Sequence, residues 1–354
     1  MRAKPLSLLL LLSFGALAGC EKNEPKPDST RKEADAGASK VDAIDPDLAE
    51  AVAAASAAPG RGAPRAQVEG GPPPDGVFAP GAADKELARG ALPKVTLGSA
   101  GADPKVQLGP SKTPSKLSGT IQVSVQADPR QPPLPILLGI TVEPKKGEAK
   151  TADKAPAGQL VSARITSAKV DTTGIPKELD DQLAKLKGSK VEYSVAPNGA
   201  ASNMRIEVAK GAPDDIVHSL SDALGLLTIP YPDQPIGAGG YFMVTSRDEL
   251  LGLDMVTYRM IKVKEVTAEG VTLDVNTKRY SASRTLNLPG MPPDIDKTLF
   301  QFEAVAEGTV RVTPGALLPG QGDLTSVLAA QFAATDPKRR PSIQLQTRAQ
   351  LDLK

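Results

Sequence analysis

Apolar and polar side chains alternate over residues 343–353, where Ile343, Leu345, Leu351 and Leu353 are separated by Gln, Arg and Asp residues. A period of two places the apolar side chains on one face of a β-strand. Residues 121–127 show the same alternation. Strands with one apolar and one polar face are typical of an antiparallel sheet that is covered on one side.

The rest of the C-terminal part predicts further strands and two short helices. Helices are predicted over 176–186 and 212–227, because a proline opens each and apolar residues recur at helical spacing along the second. Hairpins are predicted through Gly270 and Gly308, because each glycine follows Ala-Glu between two apolar stretches. A third hairpin is predicted between 190–195 and 204–208, across Pro197-Asn198-Gly199. The predicted strands cover 121–127, 136–142, 160–170, 190–195, 204–208, 255–266, 271–275, 298–304, 309–312 and 343–353.

These elements predict one α+β domain over residues 116–354. Its expected architecture is a curved antiparallel sheet, or partial barrel, wrapped round the helix 212–227. The chain has no Trp, so we expect a core of Val, Ile, Leu and Ala.

Residues 21–115 differ in composition from the predicted domain. The chain has 33 Pro and 32 Gly residues, which are densest before Ser115, and the isolated Val and Leu residues there follow no period. Such a segment buries too little apolar surface to offset the entropy of ordering it. We therefore predict a long disordered tether over 21–115.

Residues 1–20 have the layout of a secretory signal. A basic start precedes an apolar run over 6–14, and Leu17-Ala18-Gly19-Cys20 ends in the only cysteine of the chain. This ending resembles the lipobox of bacterial lipoprotein precursors, whose cysteine becomes the first residue after cleavage and carries the lipid. The resemblance implies lipidation of Cys20 and membrane attachment through that lipid. The alternatives are a transmembrane anchor, for which the run is too short to cross about 30 Å, and a cleaved signal with an unrelated cysteine.

Charge and cysteine content exclude several classes of function. Loss of Arg2 and Lys4 on cleavage takes the formal net charge from +1 to about −1, which gives no electrostatic reason to bind nucleic acid. With Cys20 lipidated, no thiol remains for disulfides or thiolate metal sites. Glu21, rather than Asp, follows the cysteine, and in enterobacterial lipoproteins this favours the outer membrane. We therefore expect a lipid-anchored protein of the cell envelope, most simply in the outer membrane.

The segment 228–242, TIPYPDQPIGAGGYF, carries a second resemblance. Pro235, Ile236, Gly239 and Phe242 match the spacing of a strand entry of the form P-V-x-x-G-x-x-W, with Ile for Val and Phe for Trp. With the lipobox and the Ala/Pro-rich segment, the chain resembles a family of uncharacterised bacterial lipoproteins, which implies no established activity. The predicted architecture also resembles the half-barrels of lipoprotein-carrier and lipid-transfer lipoproteins, an analogy of fold alone.

An aliphatic inner face of such a sheet can hold an acyl chain between sheet and helix. The same side chains would serve equally well as a closed core. The predicted lining of an apolar ligand site is Ile216, Leu220, Leu224, Val256, Tyr258 and Met260.

His218 is the only histidine, and Asp214, Ser219 and Ser221 lie near it in sequence. This set suggests a hydrolase, although neighbours on one helix rarely converge on a histidine from both sides of its ring. The glycines of 237–240 suggest a phosphate loop, but they lead into a strand rather than a helix, which favours a turn.

Two further groups of charged residues suggest ion or surface binding. Asp294, Asp296 and Asp323 could supply oxygen ligands for calcium, but no twelve-residue loop with a closing Glu surrounds them. The basic residues 338–340 fit either an anionic surface or a solvated turn. We predict neither a metal nor a cofactor.

Three hypotheses of function follow. The leading one is a non-enzymatic, lipid-anchored envelope lipoprotein whose domain binds or scaffolds an envelope protein, peptidoglycan or lipid. The alternative is a carrier of a lipid or another apolar ligand in a half-barrel. The third, motivated only by His218, is a hydrolase.

Overall fold

The computed structural model describes most of the chain after residue 71, and these residues belong to one structural unit. The described residues are 72–111, 113–126, 132–148, 158–172, 177–250, 253–285, 298–334 and 341–354. The predicted signal, the lipidation residue Cys20 and the tether up to residue 71 lie outside them. Asp294, Asp296 and the basic residues 338–340 lie outside them too.

Among the described residues, twelve strands form one sheet, and all neighbouring strands are antiparallel. Their order is β1-β7-β8-β9-β10-β11-β12-β2-β3-β4-β5-β6, with β1 and β6 at the ends. The strands are β1 (Lys94–Ser99), β2 (Leu117–Gln126), β3 (Leu134–Glu148), β4 (Gln159–Val170), β5 (Lys190–Val195), β6 (Ala201–Glu207), β7 (Tyr241–Leu250), β8 (Leu253–Thr267), β9 (Gly270–Ser281), β10 (Leu299–Val312), β11 (Gln321–Phe332) and β12 (Ser342–Leu353).

The helices of the described residues are α1 (Ala82–Glu86), α2 (Lys177–Ala184) and α3 (Asp214–Leu227). The predicted helices 176–186 and 212–227 correspond to α2 and α3. Within the described residues, no helix combines the length and the apolar composition needed to cross a membrane. The predicted antiparallel sheet with short helices is confirmed. The helices are few and short beside the strands, however, so the domain is nearly all-β rather than α+β.

Alternation in sequence coincides with alternation in burial. In β12, Ala349, Leu351 and Leu353 are buried, whereas Gln346 and Arg348 are exposed. The buried side chains of such a strand share one face because successive residues point to opposite sides. The sequence pattern therefore identifies correctly which face of β12 is covered.

Helix α3 packs against one face of the sheet, which we call the inner face. Leu220, Leu224 and Leu227 are fully buried in the same apolar cluster as Ile261 of β8. The helix also contacts β2, β5, β6 and β11, which stand far from β8 in the strand order. The sheet therefore curls round α3. Gly322 of β11 permits the close approach, because a Cβ there would lie 2.9 Å from Leu227 Cδ2.

The predicted hairpin through Gly308 is wrong, because β10 is a single strand that pairs with β9 on one side and β11 on the other. A Cβ on Gly308 would lie 2.0 Å from the Asp323 backbone oxygen. This glycine therefore allows a close strand approach rather than a turn. The predicted hairpin through Gly270 is confirmed, because β8 pairs with β9 up to Thr267 and Gly270. The predicted hairpin across residues 197–199 is confirmed too, because β5 pairs with β6.

The folded domain begins before residue 116, within the predicted tether. Residues 72–111 contain α1 and β1, and β1 pairs with β7 at one end of the sheet. Phe302 N donates a hydrogen bond to Asp75 O at 2.9 Å, and a Cβ on Gly76 would lie 1.7 Å from Phe302 O. Order in this segment comes from pairing with strands distant in sequence, which local composition does not reveal.

Candidate functional site

On the inner face, a band of buried polar side chains separates two apolar clusters. The main core lies against α3 and includes Ile261 and Val275, whereas the second cluster includes Met255 and Phe302. Burying polar groups costs free energy unless they are hydrogen-bonded. Because such costs are concentrated at functional sites, this band is a candidate functional site. The polar belt, as we call it, consists of Ser246, Thr257, Arg259, Thr277, Arg279 and Ser326.

Strand register brings the centre of the belt together. Thr257 of β8 stands opposite Arg279 of β9, and Arg259 stands opposite Thr277. Directly opposed residues share a face, with Cβ atoms about 5 Å apart. The two arginines therefore lie diagonally across one strand pair, each beside a threonine.

Arg259 connects the belt to the end of α3. Its Nη1 donates a hydrogen bond to Thr228 O at 2.7 Å, and its Nη2 donates one to Gly225 O at 3.1 Å. Helix ends leave backbone carbonyls free and carry the negative end of the helix dipole, so a guanidinium suits this position. Nη2 also lies 3.7 Å from Asp248 Oδ2. The Arg259 side chain therefore helps to hold α3 on the sheet.

Arg279 is buried to the same degree but has a poorer environment. Each arginine is 5% exposed, and the Nε atoms of both have no hydrogen-bond partner among the described residues. Burial lowers the pKa of Arg279 to about 10, and the positive charge of Arg259 acts in the same direction. The carboxylates of Asp248 and Asp222 oppose this shift. Two like charges therefore share a buried space.

The threonines beside the arginines are also unsatisfied. The hydroxyl oxygens of Thr257 and Thr277 are buried and lack a hydrogen-bond partner within the described residues. Buried polar side-chain atoms are paired in the large majority of cases. Four such atoms at one strand pair therefore make this patch the leading candidate for a binding site among the described residues.

Asp222 of α3 approaches the belt from the helix side. It is half-buried, and burial raises its pKa to about 7, although the charge of Arg279 acts in the opposite direction. Near neutral pH this carboxyl group is therefore ionised in only part of the molecules. It therefore neutralises the Arg279 guanidinium incompletely.

The chemistry of the belt is that of an anion site. Guanidinium groups donate paired hydrogen bonds to carboxylate and phosphate oxygens, and hydroxyl groups can donate one more each. The belt contains no histidine, cysteine or lysine that could act as a base or nucleophile. Among the described residues, no three His, Cys, Asp or Glu side chains converge as metal ligands.

The structure does not bring together the side chains predicted to line an apolar ligand site. Ile216, Leu220 and Leu224 are buried in the main core. The strand residues lie on the opposite, outer face, because neighbouring positions of a strand point to opposite sides. Tyr258 there donates a hydrogen bond from its hydroxyl to Glu86 Oε2 of α1 at 2.9 Å. These strand residues are Val256, Tyr258 and Met260.

The structure engages one serine of the hydrolase hypothesis away from the histidine. His218 and Asp214 are exposed on α3. Ser221 is buried and donates a hydrogen bond to Met204 Sδ at 3.5 Å. The Ser221 hydroxyl is therefore engaged with β6 rather than with the histidine.

The glycines of the suspected phosphate loop use their amides within the protein. The amides of Gly237 and Gly239 donate hydrogen bonds to Ala100 O at 2.8 Å and to Val263 O at 2.9 Å, and that of Gly240 donates to Gly237 O at 3.0 Å. No helix follows, because Tyr241 begins β7. The loop is therefore hydrogen-bonded to the residue after β1 and to β8, and none of these three amides is free to bind an anion.

Asp323 lies on the outer face, in a groove of about 610 Å³. It accepts a hydrogen bond from Arg348 Nε at 2.8 Å, and this hydrogen bond lowers the pKa of Asp323. Thr309 Oγ1, in the same groove, donates to Asp274 Oδ1 at 3.3 Å. Within the described structure, these four side chains of the groove are thus hydrogen-bonded in pairs, unlike the hydroxyls of Thr257 and Thr277 in the belt.

Sequence reasoning missed both arginines, although a signal was present. Val263 and Ile261 lead at every second position to Arg259, and Leu273 and Val275 lead in the same way to Arg279. An arginine that continues an apolar row of a strand faces the covered side of the sheet. The same geometry in two successive strands would have indicated a buried pair.

The comparisons with known proteins place the chain in no established group. It matches no model of a protein family. A comparison with curated proteins gives no match either.

Proposed function

We propose that this protein is a lipid-anchored envelope lipoprotein whose β-rich domain binds a ligand without performing chemistry on it. The anchor is supported by Leu17-Ala18-Gly19-Cys20. The observation that carries the binding function is the polar belt, in which buried arginine and threonine atoms have no hydrogen-bond partner within the described part of the chain. The belt contains no histidine, cysteine or lysine, so its two arginines suit the binding of an anion better than chemistry on it.

The location is the cell envelope, with the outer membrane favoured by Glu21 after the lipidated cysteine. Two or three acyl chains on one residue hold a protein on a bilayer far more firmly than one chain does. The partners are therefore the membrane itself, through Cys20, and a component of the envelope such as a protein, peptidoglycan or a lipid.

Replacement of the single cysteine tests the anchor. The Cys20→Ser variant should leave the membrane fraction after the bilayer is separated from soluble proteins, or remain as an unprocessed precursor of higher mass. Gly19→Ala is the matched control, because a small residue before the cysteine is kept, and it should remain membrane-bound and processed. A Cys20→Ser protein of mature mass in the membrane fraction would contradict the anchor.

Native mass spectrometry of the purified full chain tests the binding function. We expect a bound molecule that is lost on denaturation and recovered in the extract. A chain with no bound mass, and no change in unfolding temperature with extracts of the envelope, would contradict this part of the proposal.

A second candidate function is the carriage of a lipid or another amphiphile. The observation that favours it is the position of the second cluster, whose Met255 and Phe302 lie beside the polar belt on the same face. A polar and an apolar surface side by side match the two parts of an amphiphile. Exchange of labelled lipid between vesicles, accelerated by the protein, tests this function, and an unchanged exchange rate would exclude it.

A further inference from the structure

We infer that Arg259 and Arg279, together with the hydroxyls of Thr257 and Thr277, form a binding site for the oxyanion group of a ligand, either a carboxylate or a phosphate. The inference rests on the proposed function and names the chemical class that the domain binds. It specifies four side chains on one strand pair, all buried on the inner face.

The first argument is geometric. Each arginine stands directly opposite a threonine, so two guanidinium groups and two hydroxyls border one patch of β8 and β9. The Nε atoms and both hydroxyl oxygens have no partner among the described residues. Guanidinium groups and hydroxyls all donate hydrogen bonds, and an oxyanion accepts several at once.

The second argument is the charge balance. The carboxylates that act on Arg279 are Asp248 of β7 and Asp222 of α3, and the other cation is Arg259. Asp248 lies 3.7 Å from Arg259 Nη2 and also accepts a hydrogen bond from Ser246 Oγ at 2.8 Å. Asp222 is incompletely ionised near neutral pH, because burial raises its pKa to about 7. An anion between the arginines would supply the missing negative charge.

The third argument concerns space and access. On the side of β9 away from β8, Arg279 and Thr277 stand opposite Ala304 and Ala306 of β10. The neighbouring side chains on this edge of the belt are therefore single methyl groups. On the β7 side, the Asp248 side chain is 33% exposed. The Arg259 guanidinium therefore lies beside a carboxylate that reaches solvent at β7, and the belt borders small side chains at β10.

Thermal unfolding of the full chain in a non-ionic detergent, followed by circular dichroism, tests the inference. Inorganic phosphate, at constant ionic strength set with sodium chloride, probes a free anion. Decanoate probes the head of an amphiphile, and decanol controls for its apolar chain. An occupied site should raise the unfolding temperature by about 5 °C at a hundredfold excess over Kd.

The variants locate the effect. Arg279→Gln should weaken the response to the active anion about tenfold or more in concentration, because it removes a charged donor. Thr257→Val, which keeps the side-chain shape, should weaken it by a smaller factor and serves if Arg279→Gln does not fold. Arg348→Gln, an exposed arginine of the outer face, is the matched control and should respond as the unaltered protein does.

The outcomes are distinct. A response to phosphate supports the site for a free anion, and a response to decanoate but not to decanol or phosphate supports it for an amphiphile head. An unaltered protein that responds to neither anion overturns the inference, as does a response that Arg279→Gln and Thr257→Val both retain. If a neutral molecule co-purifies with the chain while both anions are without effect, the proposed binding function stands and the oxyanion site fails.

Discussion

The main core and the polar belt lie side by side on the inner face of β8 and β9, yet they are built in opposite ways. In the main core, Ile261 and Val275 stand opposite each other and are almost completely buried. Two residues along each strand, Arg259 and Thr277 occupy an equivalent pair of positions. The first pair gains free energy from burial, whereas the second loses hydration without full replacement by hydrogen bonds.

The contrast shows that neighbouring positions of one strand pair can have different roles. Some stabilise the domain, and others form the candidate binding site at a cost in stability. Packing under α3 supplies the free energy that allows a poorly satisfied belt beside it to persist. Departures from local consistency of this kind concentrate at functional sites. If the comparison is right, substitutions in the main core should destabilise the domain, and some in the belt should have no effect or the opposite effect.

The largest effect is expected in the main core. Leu220→Ala should lower the free energy of unfolding by about 3 kcal/mol or more, because it leaves a cavity at a fully buried position. Leu92→Ala is the matched control, since Leu92 is 39% exposed, and should change it by less than about 1 kcal/mol. Urea unfolding followed by circular dichroism measures both. Equal effects would mean that α3 is not packed as described.

The next largest effect is a difference between the two arginines in how their replacement changes the free energy of unfolding. Arg259→Met should lower the free energy of unfolding by about 2 kcal/mol, because Thr228 and Gly225 would lose their hydrogen-bond donors. Arg279→Met should leave it unchanged or raise it by about 1 kcal/mol, because it removes a buried charge that forms no salt bridge with another described residue. Urea unfolding in buffer without phosphate compares them. A loss in Arg279→Met as large as that in Arg259→Met would show that Arg279 is satisfied within the protein.

Much of the sheet could be predicted from sequence, because strands with one covered face carry their own signal. The alternation in β12 and the helical spacing of Leu220 and Leu224 depend on side chains within one element. The segment 72–111 could not be predicted, because its order depends on pairing with β7 and on contacts with Phe302 far along the chain. The hairpin at Gly308 was wrongly predicted for a related reason. This glycine is required by the close approach of the neighbouring strand rather than by a turn.

The site could not be predicted because hydropathy assigns arginine to the exposed face of a strand. In β8 this rule predicts that Val256, Tyr258 and Met260 lie on the inner face. The inner face in fact carries the residues that alternate with them, such as Thr257 and Arg259. The arginines indicate a buried site only when β8 and β9 are known to pair and the side chains on the same face of both strands are compared. Pairing is a tertiary property, and no single strand carries it.

Asp222 offers a pH-dependent comparison. Its pKa is raised to about 7 from 3.8, so the unfolded chain releases this proton first as pH rises and stability falls between these values. Asp222→Asn should therefore be more stable than the unaltered protein at pH 8, by about 1 to 2 kcal/mol, and similar to it near pH 4. Urea unfolding at both pH values measures the difference. Asp181→Asn, on the exposed side of α2, should change little at either pH, and a similar gain there would contradict this account.

The smallest expected effect comes from removing hydroxyl groups. Here the sign of the change in the free energy of unfolding shows whether a belt hydroxyl is hydrogen-bonded. Thr277→Val keeps the side-chain shape and removes a buried hydroxyl that has no hydrogen-bond partner among the residues described. The free energy of unfolding should therefore stay constant or rise by about 0.5 kcal/mol. Thr309→Val makes the same change where the hydroxyl donates to Asp274, and should lower it by about 0.5 to 1 kcal/mol. Both are measured by urea unfolding in phosphate-free buffer at one pH. If Thr277→Val destabilised as much as Thr309→Val, the belt would be internally satisfied, and its difference from the main core would be one of composition alone.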